Sequence, residues 1–158
     1  MKVLSTRRIT NDRQHNAFTG TCWFKGDLFV GYRQADIHHH DDGSRIIVQR
    51  SRDAGFTWDT VAVLRGHGDT RDAHIYTDGC RLYCTCYVER VANSVGFSGC
   101  AVTEDGGHWT PFEPYEGDYG NYVLWRPAWY RGRHYCAGYY YSHDRFGLHW
   151  FESEDGHQ

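Results

Sequence analysis

The stretch Ser51-Arg52-Asp53-Ala54-Gly55-Phe56-Thr57-Trp58 constrains the fold more than any other, because it recurs. A shortened form stands at Thr103-Glu104-Asp105-Gly106-Gly107-His108-Trp109, and a third begins at Ser153-Glu154-Asp155-Gly156. The aspartates Asp53, Asp105 and Asp155 lie 52 and 50 residues apart. A period of about 50 residues is the length of a four-stranded propeller blade rather than of a helical repeat. Each stretch reads as a turn. Asp53 accepts from backbone N–H groups just downstream, Ser51 and Thr57 add local partners, and Gly55 supplies the positive φ of a tight reversal. Trp58 then enters the next strand and buries its ring between sheets. Thr103, Asp105, Gly107 and Trp109 repeat these roles, and Asp155 opens the third copy. No nucleophile and base pair occurs in any of them, so they are fold markers.

One strand-like segment is largely apolar or aromatic on both faces, as expected of a blade between two others. In Arg81-Leu82-Tyr83-Cys84-Thr85-Cys86-Tyr87-Val88, residues 82, 84, 86 and 88 point one way and 83, 85 and 87 the other. A sheet with one wet face would alternate apolar and polar side chains. No window shows helical periodicity with caps, so the chain is expected to be all-β. Residues 17–24, 27–33, 44–51 and 57–64 read as one four-stranded antiparallel blade, and 71–77, 81–89, 95–102 and 108–113 as a second. Residues 122–130, 133–141 and 146–152 give three strands of a third. Trp23-Phe24-Lys25-Gly26 and Trp129-Tyr130-Arg131-Gly132 echo each other 106 residues apart. The blades divide a single domain of residues 1–158 at about 11–65, 66–115 and 116–158.

Residues 3–9 read as a strand with no blade of their own, and are expected to complete the third blade, in cis or in trans. Three blades are half of a six-bladed ring, and a lone half-ring would expose two apolar faces. Two copies about a two-fold axis would cover both, so a homodimer is expected. The rival explanation is a fragment of a longer chain.

Composition excludes several classes. The 158 residues suffice for one domain with a core. Net charge is −3 and the 17 Lys and Arg are scattered, so no nucleic-acid partner is expected. The first residues lack the apolar core of a signal peptide, no run is long enough for a membrane span, and a cytoplasmic location follows. Cys22, Cys80, Cys84, Cys86, Cys100 and Cys136 have no metal-ligand spacing, and read as reduced. His38-His39-His40-Asp41-Asp42 raises a metal hypothesis, but consecutive strand residues diverge and Asp42-Gly43 signals a hairpin loop, so neither metal nor cofactor is expected.

The aspartate turns, with His15-Asn16-Ala17-Phe18 leading into Trp23-Phe24-Lys25-Gly26, resemble the sialidase-type propellers with BNR (Asp-box) repeats. Arg71-Asp72-Ala73 and Leu124-Trp125-Arg126-Pro127 echo the same pattern in the other blades. The resemblance covers nearly the whole chain and implies an acidic-sugar pocket lined by arginines, whose guanidinium forks hold a carboxylate bidentately. Arg13, Arg71 and Arg126, near the starts of the innermost strands, fit that role, as does Arg33. Trp125, Trp129 or Tyr122 would stack on a sugar. The resemblance also implies an acid/base aspartate, for which Asp36 is the first candidate and Asp72 the second. The family's tyrosine nucleophile and its glutamate partner belong to late blades that this chain lacks, and neither is assigned. Three functions follow: a module binding a carbohydrate or small anion without established catalysis, a glycoside hydrolase acting on sialic-acid-like sugars, or a structural or protein-binding scaffold, including a truncated remnant.

Overall fold

The computed structural model describes residues 2–89, 96–117, 121–140 and 147–156, and these residues contain no α-helix. Eleven strands run in chain order: β1 (His15–Phe24), β2 (Asp27–Ala35), β3 (Arg45–Ser51), β4 (Asp59–Leu64), β5 (Asp69–Thr77), β6 (Leu82–Glu89), β7 (Phe97–Thr103), β8 (Glu113–Pro114), β9 (Tyr122–Tyr130), β10 (Arg133–Tyr140) and β11 (Leu148–Ser153). They form three antiparallel sheets of consecutive strands, β1-β2-β3-β4, β5-β6-β7-β8 and β9-β10-β11. The first strand of each sheet lies innermost, with β1 against β5 and β5 against β9. The architecture is therefore a row of three blades, as the repeat length predicts. No helix among the described residues is long and apolar enough to cross a membrane.

The hairpins follow from local chemistry. Lys25-Gly26 and Arg131-Gly132 both carry positive φ at their two residues, which is the two-residue turn whose twist matches the flanking strands. The three aspartate turns also repeat their bonding. Thr57 N–H and Gly55 N–H donate to Asp53 Oδ1 and Ser51 Oγ, each at 2.8 Å. His108 N–H donates to Asp105 Oδ1 at 2.8 Å, and Gly106 N–H to Thr103 Oγ1 at 2.9 Å. Gly156 N–H donates to Ser153 Oγ at 2.9 Å. These bonds favour the carboxylate, so Asp53 is held at about 2, with the Thr57 backbone donor as the largest cause. In the shortened second turn the left-handed residue is Gly106, φ 75°, and not Gly107.

Sheets one and two enclose the main core, in which Phe29, Ile46 and Val48 meet Ala73, Ile75, Leu82, Cys84 and Cys86. Trp109 packs against this cluster and Trp58 against Val30, Tyr32 and Ile47. Every residue from Leu82 to Val88 is buried, which bears out the two-sided reading of β6. All six cysteines are free, and three of them (Cys84, Cys86 and Cys100) sit in the cores.

Three expectations are corrected. Residues 2–11 form no strand, and Val3 and Leu4 are exposed. The Arg7 guanidinium lies 3.6 Å from the centroid of Phe56, in the first aspartate turn, so this segment lies at the first blade and does not close the third in cis. Residues 3–9 read as a strand in the sequence but pair with no strand among the described residues. The fourth strand of the second blade is only Glu113–Pro114, because Pro111 and Pro114 lack the N–H a longer ladder needs. Among the described residues no strand follows β11 in the third sheet, so that edge is open. Residues 90–95, 118–120, 141–146 and 157–158, which include the starts of two expected strands and the end of another, lie outside the described residues.

Candidate functional site

Each innermost strand is interrupted at the same place by two residues facing one on the neighbouring strand. The register slips between Ala17 and Gly20 on β1, between Arg71 and His74 on β5, and between Trp125 and Ala128 on β9. Within these bulges Phe18, Asp72 and Arg126 have φ of 52°, 57° and 46°. A left-handed non-glycine residue costs about 1–3 kcal/mol and persists where its surroundings impose it, often at a site that needs a side chain re-aimed. Three equivalent instances on adjacent inner strands single out this region.

Two of the three bulges open onto one cleft of about 530 Å³, and the third contributes through Trp125. Its walls are Phe18 from β1, Arg71 and Asp72 from β5, Glu89 from β6, and Trp125 and Tyr139 from the third sheet. Beneath it runs a chain of charges. Arg33 and Asp69 are both fully buried, and Arg33 Nε–H donates to Asp69 Oδ1 at 2.8 Å. Arg33 Nη1 also donates to the Ile37 carbonyl at 2.8 Å, tying down the loop after β2. Asp69 Oδ2 lies 3.8 Å from Arg71 Nη1, which donates to Glu89 Oε2 at 2.5 Å. Arg71 Nε lies 4.0 Å from Asp72 Oδ2, and its guanidinium lies 4.9 Å from the centroid of Phe18. Burial pushes the Asp72 carboxyl above its ordinary value, with the Arg71 cation opposing and the Asp69 and Glu89 carboxylates adding to the rise.

Of the residues expected from sequence, Arg71, Asp72 and Trp125 meet in the cleft. Arg33 lies behind them, engaged by Asp69. Arg13 and Arg126 are exposed and do not line the cleft. Asp36 is exposed in the loop after β2, where its N–H donates to Asp41 Oδ2 at 2.7 Å. Phe18, Tyr87, Glu89 and Tyr139 line the cleft without having been anticipated. Glu89 stands directly across the ladder from Asp69, a pairing visible only once the register of β5 and β6 is known. His39 and His40 reach the rim of the cleft, and His38 Nδ1 lies 3.1 Å from His15 Nε2. No group of three His, Cys, Asp or Glu suited to a metal ion occurs among the described residues.

A second cavity, of about 340 Å³, lies between the second and third blades, against Tyr115, His134, Trp150 and Glu152. It carries none of the three strained positions and borders the open β11 edge, where a fourth strand would lay its side chains. The cleft on the inner strands is therefore the candidate site.

No protein-family model and no curated protein matches the sequence. Solved structures do. Zg3597, a family 117 glycoside hydrolase of the marine bacterium Zobellia galactanivorans, superposes with a TM-score of 0.65 at 12% identity over 92% of this chain and 54% of that one. An α-L-arabinanase of Penicillium chrysogenum, complexed with arabinobiose, gives 0.62 at 19% identity over 85% of this chain and 43% of that one. Trypanosoma rangeli sialidase, in complex with the inhibitor DANA, gives 0.54 at 13% identity over 90% and 37%. The chain shares its fold with these enzymes and spans about half of their length or less.

Proposed function

We propose that this chain is a carbohydrate-binding blade array of the sialidase-like type, with its sugar site in the cleft formed by Phe18, Arg71, Asp72, Glu89, Trp125 and Tyr139. The observation that carries the reading is the meeting of strained inner-strand bulges at one concave site with aromatic walls and a few convergent polar groups. Aromatic faces stack on the C–H surface of a sugar ring, and carboxylates accept from its hydroxyls. The three aspartate turns support counting the chain among Asp-box proteins, and similarity to glycoside hydrolases of several kinds supports a sugar ligand. The six free cysteines support a reducing, cytoplasmic setting. Calorimetric titration with oligosaccharides tests the reading: Trp125→Ala and Asp72→Asn should each weaken binding about tenfold or more, as loss of a stacking platform or a buried acceptor does. Undiminished binding by both variants contradicts this site, and absence of any sugar ligand favours the scaffold reading.

A glycosidase reading has one specific support. Asp72 is a buried carboxyl raised toward the range of a general acid, which makes it a better candidate than exposed Asp36. Hydrolysis of an aryl glycoside that disappears in Asp72→Asn while binding persists would establish it. Activity that survives the substitution removes Asp72 from the role.

The half-ring is completed by a second copy. Leu148 and Trp150 on the open β11 strand are exposed, as are Trp23 and Val63 at the opposite end of the row. Residues 3–9 of one copy add to β11 of the other, since they lie at the first blade of their own chain. Sedimentation should give about twice the chain mass of 18.4 kDa. A mass of one chain at all concentrations contradicts the assembly.

A further inference from the structure

We infer that His15 and His38 form an imidazole pair that takes up a divalent transition ion of the zinc, nickel and copper class. The inference stands apart from the sugar reading. His15 opens β1, where it pairs with Ala35 at the end of β2, and His38 lies in the loop that follows β2. His15 Nε2 and His38 Nδ1 stand 3.1 Å apart, and the two ring centroids 4.9 Å apart with planes at 77°. Two imidazole nitrogens bound to one ion at about 2.0–2.1 Å, roughly 100° apart, are separated by about 3.1 Å and hold their rings about 4.8 Å apart. An in-line N–H···N bond of the same length would hold the centroids about 5.4 Å apart. The pair therefore has the converging geometry of two ligands, and an ion can replace the proton between them.

The surroundings hold this geometry in place. Arg33, buried against Asp69, donates from Nη1 to the carbonyl of Ile37, the residue before His38, at 2.8 Å. Asp41 closes the same loop by accepting from the N–H groups of Asp36 and Gly43 at 2.7 and 2.8 Å. The Phe18 ring lies 5.3 Å from that of His38, and the His39 ring 4.2 Å from it. The ordering of the loop is thus met on folding, and less of its cost opposes binding. His38 is exposed, so an ion reaches it from solvent. The divergence of consecutive residues speaks against His38, His39 and His40 sharing one ion, but the members of this pair come from β1 and the loop after β2. Two imidazoles are half of a tetrahedral shell and water completes it, in keeping with the lack of a three-ligand group among the described residues. Imidazole suits zinc, nickel and copper, whereas magnesium and calcium take oxygen ligands.

Calorimetric titration of the untagged, metal-stripped protein with copper, nickel, zinc, magnesium and calcium ions at about pH 7.5 tests this, the imidazoles being neutral there. Zinc should bind, copper should bind more tightly, and magnesium and calcium should not bind at the pair. His15→Gln and His38→Gln should each weaken zinc binding at least about tenfold. Because His38 is exposed, its substitution should leave the circular dichroism unchanged. In nitrogen-15 spectra of the imidazoles, zinc should shift His15 Nε2 and His38 Nδ1. Absence of zinc binding, or binding that both substitutions leave undiminished, overturns the inference. So does zinc binding that shifts other histidines while these two nitrogens stay unchanged.

Discussion

The seam between the first and second blades and the outer side of the third are built from opposite materials. At the seam, β1 approaches β5 so closely that a Cβ on Gly20 would stand 2.7 Å from the Ala73 carbonyl oxygen and 2.8 Å from the Ile75 nitrogen. Small residues there bring the sheets together, and Phe29, Ile46, Val48 and Leu82 fill the space on either side. The third blade has three strands, and its β11 strand exposes Leu148 by 80% and Trp150 by 69%. Blade stacking is thus finished at one face and unfinished at the other. The cleft sits where the finished seam meets the third blade: its charges are anchored in the seam, and its aromatic cover comes from β9 and β10.

The comparison can be broken at the seam first. Arg33→Ala leaves the Asp69 carboxylate buried without its partner and should cost about 3–5 kcal/mol in chemical denaturation, the largest effect expected. A loss below about 1 kcal/mol would show that the pair is not held in a dry seam. Gly20→Ala drives a methyl group into the β5 backbone and should cost about 1–3 kcal/mol. A neutral outcome means that the blades part easily.

His74 lies between the two regions, on β5 and 5.3 Å from the Trp125 ring centroid, with no hydrogen-bond partner for Nε2 among the described residues. Burial first, and then the Arg126 cation, lowers its pKa from 6.5 to about 4. The folded protein holds His74 neutral while the unfolded chain takes up a proton at the higher value. Its contribution is complete above 6.5 and is lost as pH falls from 6.5 to about 4. Melting curves across that window should decline for the parent and flatten for His74→Gln; parallel declines would contradict the burial of this imidazole. The smallest effect belongs to the open edge, where Trp150→Glu should change the stability of the single chain by less than about 0.5 kcal/mol. The same substitution should abolish the doubled mass in sedimentation, and a doubled mass that persists would place the partner elsewhere.

What the sequence revealed was local. The aspartate turns, the Lys25-Gly26 and Arg131-Gly132 hairpins and the two-sided burial of β6 each depend on residues within a few positions of one another. Arg71, Asp72 and Trp125 were legible because the strands that carry them repeat. Arg33 was misread as a ligand-facing cation because its partner Asp69 is 36 residues away and belongs to the next blade. Glu89 was invisible for the same reason, since its place beside Arg71 depends on the register of β5 against β6. Residues 3–9 lack the period-two alternation that specifies a buried face, with Val3 and Leu4 adjacent and four polar residues after them, so nothing in them fixed a register or a partner. Pro111 and Pro114 could have shortened the expected strand at 108–113 from sequence alone.

The central claim is that the cleft on the inner strands is where a sugar binds. Chemical-shift mapping of the labelled protein during titration with a neutral oligosaccharide tests it directly. The largest perturbations are predicted at Phe18, Asp72, Trp125 and Tyr139, with His134 and Trp150 in the second cavity unaffected. Perturbations centred on His134 and Trp150, with the inner-strand bulges silent, would contradict the account.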